Sequence, residues 1–60
     1  MTRLKTYMEE NGWESHDLAR KLGRSNDSVK RFMKIGLTQH NILVKYAKAM
    51  NCKVADIKEN

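Results

Sequence analysis

The chain has 60 residues, with twelve Lys or Arg against seven Asp or Glu, a formal charge of +5 and a pI near 9.7. Sixty residues suffice for one domain, 1–60, whose core is thin because a chain this short buries only about 60% of the surface its unfolded form exposes. The single cysteine, Cys52, rules out an internal disulfide framework and suits a reducing cytosol; no apolar run is long enough for a bilayer and the N-terminus lacks a signal peptide's apolar core, so a soluble cytoplasmic protein with a polyanionic partner is expected.

Proline is absent and no β-branched run alternates over a strand length, so the pattern predicts an all-α bundle of five short helices. The first spans about Thr2 to Asn11, with Leu4, Tyr7 and Met8 on one face, and ends at Asn11-Gly12, both of which accept the left-handed conformation. Trp13 follows as an apolar plug over the end of the core, since a stacking platform for single strands needs several exposed aromatics. The second helix runs from Ser15, read as its N-cap, to Leu22, with Asp17 in its first turn. His16 has no cysteine or acidic partner at ligand spacing and is expected to be an exposed first-turn histidine; no metal site is predicted.

Leu18, Ala19 and Leu22 line one face of the second helix, Gly23 interrupts, and Val29, Phe32 and Met33 resume the same spacing in a third helix, Asn26 to Ile35, capped by Ser25. Ala19 and Gly23, one turn apart, present no bulk, so the third helix can cross the second closely and steeply: a helix-turn-helix. From Arg20 to Lys34, six cations (Arg20, Lys21, Arg24, Lys30, Arg31, Lys34) face one acid, Asp27. That local +5 equals the balance of the whole chain, because the other segments cancel.

Gly36 stops the third helix, and Leu37 is expected to tuck the next loop onto the core. A fourth helix begins near Gln39 or His40, with Ile42, Leu43, Tyr46, Ala47 and Met50 on one face. Asn51 serves as its left-handed C-cap, Cys52 packs inside as a small apolar thiol, and Val54 and Ile57 mark a last helix of one or two turns.

With these residues in place, the chain resembles the lambda-repressor-like, Cro and C1-type helix-turn-helix family from about Leu4 to Ile57. The features that carry the resemblance are Trp13 before the second helix, the set Leu18, Ala19, Leu22 and Gly23, the pair Ser25 and Val29, and Phe32. The run KYAKAMNCKVADI, Lys45 to Ile57, is similar to the family's closing signature almost position by position. There are departures. Ser15 stands in place of the family's phosphate-binding Gln, and Arg24 replaces a common apolar residue, giving either an added phosphate contact or a loosened turn. The segment Phe32 to Gly36 is one residue longer than usual, so a different loop is expected after it.

The resemblance implies a sequence-specific double-stranded DNA-binding regulator, a phage or bacterial repressor acting by operator occlusion. Base contacts are expected from Asn26, Asp27, Lys30, Arg31 and Lys34. Asn suits adenine, Lys and Arg suit guanine, and Asp accepts from cytosine, with Asn26 and Arg31 read as lying on one outer side of the helix. Phosphate contacts are expected from Ser15, Lys21, Arg24, Ser25, Ser28, Thr38 and His40, helped by backbone N–H groups at the starts of the second and fourth helices. Lys5, Lys45, Lys53 and Lys58 are read as solvated surface. A weak homodimer, tightened on DNA, is expected, with Tyr7, Met33, Val44 and the last helix as candidate interface. The chain ends directly after the fifth helix, as in a stand-alone Cro-type regulator or a domain cut from a longer repressor. The alternative is a protein-binding module of the same fold that antagonises a repressor. Against it stands the polar, cationic outer face of the third helix, on which Met33 alone is ambiguous. No nucleophile with a base and no carboxylate pair can be placed, so no enzyme, cofactor or small-molecule ligand is expected.

Overall fold

The computed structural model describes residues 2–59. Five helices follow in chain order: α1 (Arg3–Glu10), α2 (Ser15–Leu22), α3 (Asn26–Ile35), α4 (His40–Met50) and α5 (Val54–Ile57). There is no strand among the described residues, only an isolated parallel bridge between Leu37 and Lys58. α2 packs on α3 and α4, α1 on α3 and α5, and α4 on α5. The helix-turn-helix is thus buttressed from behind by α1 and α4.

Three of the helices end in the same way. Beyond α1, α2 and α4 sits one left-handed residue, Gly12, Gly23 or Asn51, with φ of 72°, 67° and 54°. The next N–H then folds back to a carbonyl five residues earlier: Trp13 to Met8 at 2.8 Å, Arg24 to Ala19 at 2.9 Å and Cys52 to Ala47 at 2.9 Å. These Schellman closures satisfy carbonyls that a helix end leaves open and turn the chain sharply enough for short helices to pack on one another. They also settle two expectations. Asn11 is not left-handed (φ −108°), so Gly12 alone makes the turn after α1. Arg24 does not loosen the turn, because its N–H supplies the closing bond.

Leu4 and Met8 of α1, Leu18 of α2, Val29 of α3, Leu37 of the α3–α4 linker and Ile57 of α5 are fully buried, and Leu43 and Tyr46 bring in α4. Burying such a side chain is worth roughly 1.5–3 kcal/mol. Trp13 is half-buried against this cluster, as a plug over its end; Phe32 and Cys52, expected inside, are also only half-buried and pack against its edge. Phe32 meets Tyr46 edge to face, ring centroids 5.9 Å apart.

The chain's two ends are tied together behind α3. Thr2 caps α1 by accepting the Lys5 N–H at 3.1 Å, and its hydroxyl donates to the Met33 carbonyl at the end of α3. The Glu59 N–H donates to the Leu37 carbonyl at 2.9 Å, and the Glu59 carboxylate accepts the Arg3 N–H at 3.0 Å. The Arg3 guanidinium donates to the Ala55 carbonyl at 3.2 Å. Gly36 makes this seam possible. It holds φ 92° and ψ 158°, a region open essentially to glycine, and a Cβ there would lie 2.7 Å from Glu59 Cγ.

Candidate nucleic-acid interface

The helix-turn-helix exposes its cations. Arg20, Lys21, Arg24, Lys30, Arg31 and Lys34 are all solvent-facing, and among the described residues none has a carboxylate oxygen within 4.0 Å. The five residues expected to read bases, Asn26, Asp27, Lys30, Arg31 and Lys34, are likewise exposed along α3, while Val29 is buried beneath them. Ser25 caps α3 by accepting the Ser28 N–H at 3.3 Å, and the two hydroxyls lie 3.2 Å apart, so this pair braces the start of the helix.

The residues expected to read bases fall into two rows. At about 100° per residue, Asn26 and Lys30 stand roughly 40° apart around α3, but Asn26 and Arg31 stand about 140° apart. Five residues make nearly one and a half turns, so the expectation of a shared side for Asn26 and Arg31 is corrected. Lys30 and Lys34 border a shallow depression beside α1, together with Met33 and Lys5. Arg31 lines a deeper cleft against α4 on the opposite flank. Lys5, read from sequence as mere solvated surface, therefore joins the cationic rim of α3. Only the packing of α1 on α3 brings it there, and no local signal announces it.

Two helix starts expected to hold phosphates differ sharply. α4 begins after Gln39, has no side-chain cap and carries no acid in its first turn, and Thr38 and His40 beside it are exposed. Its first N–H groups remain available for an anion at the positive end of the helix dipole. At the start of α2, Glu14 is the N-cap residue, not Ser15, which lies inside the first turn and is half-buried. His16 Nε2 stands 3.4 Å from both Glu14 Oε2 and Asp17 Oδ1, which corrects the reading that His16 lacks acidic neighbours. Glu14 is the N-cap with extended backbone, so its side chain is not held to the helical spacing that keeps near neighbours on different faces. These ligand-type atoms lie within 4.8 Å of one another, but the group is exposed, and its carboxylates oppose a phosphate approaching Ser15.

Two other side chains have surroundings that the sequence does not announce. Lys21 Nζ lies 5.5 Å from the centroid of the Trp13 ring, a cation–π contact that holds the ammonium at the edge of the motif. On the outer face of α3 the exposed apolar residue is Ile35, at 57% exposure, whereas Met33 is half-buried. Spacing of i+3 and i+4 assigns the inward stripe without saying how far the helix end overhangs its neighbours, so the exposure of Ile35 has no local signal.

The titratable groups shifted by their surroundings lie in the supporting core. Burial pushes the Tyr46 hydroxyl above its ordinary value, an effect partly offset by the positive charge of Arg24. Burial likewise raises the Cys52 thiol, a hydrogen bond with Tyr7 pulls it partly back, and Asp56 raises it further. A thiol held in its neutral form is a packing group and a poor nucleophile.

Two packed helices joined by a tight turn, with a cationic face that has no carboxylate partner among the described residues and three further helices behind, define a helix-turn-helix nucleic-acid-binding protein. Residues 3–59 match the family model of the Cro/C1-type helix-turn-helix DNA-binding domain, and the chain belongs to that family. Neither the curated proteins nor the solved structures provide a match.

Proposed function

We propose that this chain is an intracellular transcriptional repressor of phage or bacterial type that occupies a pseudo-palindromic operator as a homodimer and blocks polymerase access. The observation that carries the reading is the surface formed by the end of α2, the α2–α3 turn and α3, where six cations have no carboxylate partner within 4.0 Å among the described residues. Charges left without partners on a rigid face are available to phosphates. α3 enters the major groove with its N-terminal half nearest the bases; Asn26 and Lys30 read from one row, Asp27 and Arg31 from the other, and Lys34 sits at the far end. Lys21, Arg24 and the start of α4 with Thr38 and His40 hold phosphates, and Ser25 and Ser28 fix the entry of α3. Ser15 contributes less, because Glu14 and Asp17 flank it.

The dimer is weak without DNA. Obligate interfaces bury upwards of about 2,000 Å² and are apolar, and this surface offers little beyond Ile35 and the half-buried Tyr7, Met33 and Val44. A body measuring 24 × 22 × 19 Å is compact enough for two copies to place their α3 helices about 34 Å apart, one turn of DNA.

The test is selection of bound sequences from random duplexes, followed by titration of the selected site against salt. If a dimer neutralises about six to ten phosphates, log K falls against log salt with a slope near −0.9 per phosphate. A second reading, a protein-binding module that antagonises a repressor, is favoured by one observation, the exposed Ile35 on α3. A flat salt response and no selected sequence would support that reading instead.

A further inference from the structure

The flank of α3 that carries Arg31 faces α4 across a cleft of about 410 Å³. Its apolar surface comes from Leu22, Phe32, Ile42 and Tyr46, and its charged groups are Arg24, Arg31 and Lys45. No acid lines it, and among the described residues none of the three cations has a carboxylate within 4.0 Å. The volume falls within the range of small-molecule sites, roughly 300–1,000 Å³, and the combination of an apolar body with a few convergent polar groups is their usual composition.

We propose that this cleft binds a small aromatic carboxylate. Three features select that chemistry. Phe32 and Tyr46 cross nearly at right angles (79°), so a third planar ring can pack edge to face or offset against them. Arg24 and Arg31 offer planar guanidinium groups, which take a carboxylate through two parallel hydrogen bonds and stack on aromatic faces. Tyr46, only 3% exposed, forms no hydrogen bond through its hydroxyl among the described residues, yet it is not a sealed polar group, which leaves the hydroxyl as a donor toward the cleft. Lys45, on the α4 wall, adds a third positive charge. A neutral ring leaves all three cations unanswered, and a simple anion leaves the apolar floor wet.

Arg24 and Arg31 also belong to the DNA face argued above, so the consequence for DNA rests on that reading, while the site itself does not. A carboxylate held between them withdraws two cations from the operator, and ligand and DNA weaken each other by the same factor. The cleft would then act as an inducer site inside the DNA-binding domain.

The experiment uses the full chain and indole-3-acetate as probe, with indole and acetate as its two halves, followed by ¹⁵N–¹H correlation spectra and calorimetry without DNA. The expected result is saturable binding at least about tenfold tighter than either half, with shifts centred on Leu22, Ser28, Phe32 and Tyr46. Lys45→Glu, exposed and outside the DNA face, weakens the probe about tenfold and leaves the melting curve in place; Arg31→Gln weakens both probe and DNA. Acetate and indole-3-acetate giving the same diffuse shifts, or Lys45→Glu binding the probe like the parent, would overturn the site. A second arm titrates the selected operator at fixed ionic strength with saturating probe, where DNA affinity should drop about tenfold. Unchanged DNA affinity overturns the inducer role. Probe binding by a chain that binds no duplex refutes the DNA reading and leaves the site standing, so the two failures are distinguishable.

Discussion

The outer face of α3 and the seam behind it use polar groups in opposite ways. At the seam, Thr2, Arg3 and Glu59 each hydrogen-bond a backbone group of another segment, and Gly36 is shaped to let Glu59 approach. On α3, the side chains of Lys30, Arg31 and Lys34 make no hydrogen bond or ion pair among the described residues, and Ser25 and Ser28 bond only to each other and to the helix start. A domain this small has few polar groups to spare for holding its chain ends. Those it commits to structure stand away from the cationic face, which leaves that face free for a partner at little cost to the fold.

The contrast predicts that seam variants lose stability and face variants lose binding. Leu37→Ala should have the largest effect. Leu37 is fully buried, and truncating it costs about 2–5 kcal/mol, a large share of the 5–15 kcal/mol that ordinarily holds a domain. Thermal denaturation should show the midpoint falling by many degrees. An unchanged midpoint would mean that the α3–α4 linker is not part of the core.

Gly36→Ala comes next. Backbone strain at φ 92° costs about 1–3 kcal/mol, and Glu59 must also move off Leu37 and Arg3. The melting midpoint should fall while operator affinity, measured well below it, stays within about twofold. Equal losses of stability and affinity would dissolve the distinction between seam and face.

On the face, Asn26→Ala and Arg31→Ala should each cost roughly 1–3 kcal/mol at one operator position and relax preference there, with melting unchanged. Lys21→Ala should weaken all sequences alike and reduce the salt slope by about one unit. Because Asn26 and Arg31 stand in different rows, they should relax different base pairs. If all three variants weaken every single-base variant of the operator by one factor, α3 is only an electrostatic anchor.

The smallest effect tests the two helix starts. Glu14→Gln removes a carboxylate beside the first turn of α2, and DNA binding should tighten by a few tenths to about 1 kcal/mol in low salt. A gel-shift titration at two salt concentrations is enough. Weaker binding in the variant would mean that Glu14 positions His16 for a direct DNA contact.

The helices themselves were legible in the chain because their signals are local. Leu18, Ala19 and Leu22 at helical spacing, Gly23 after them and Ser25 as a cap depend only on near neighbours, and the observed α2 and α3 match the predicted ranges. Errors appear where a local rule has two equal candidates. Asn11 and Gly12 both tolerate the left-handed region, and the residue without a Cβ took it. Glu14 and Ser15 compete to start α2, and the side chain with the better capping chemistry ended up inside the helix.

Sequence alone determined the all-α fold, the helix-turn-helix and the basic sign of its face, since periodicity, breakers and charge are written residue by residue. Only the tertiary structure decided which cations share a surface. Lys5 comes beside Lys30 and Lys34 through the packing of α1 against α3, and Lys45 comes to the same cleft as Arg24 and Arg31 through the packing of α4 against α2. The closure of Gly36 over Glu59 and the overhang of Ile35 belong to the same class. The physical reason is the same in each case. A side chain's neighbours across a helix interface are set by crossing geometry and by where each helix happens to end, and neither is encoded in the few residues around it.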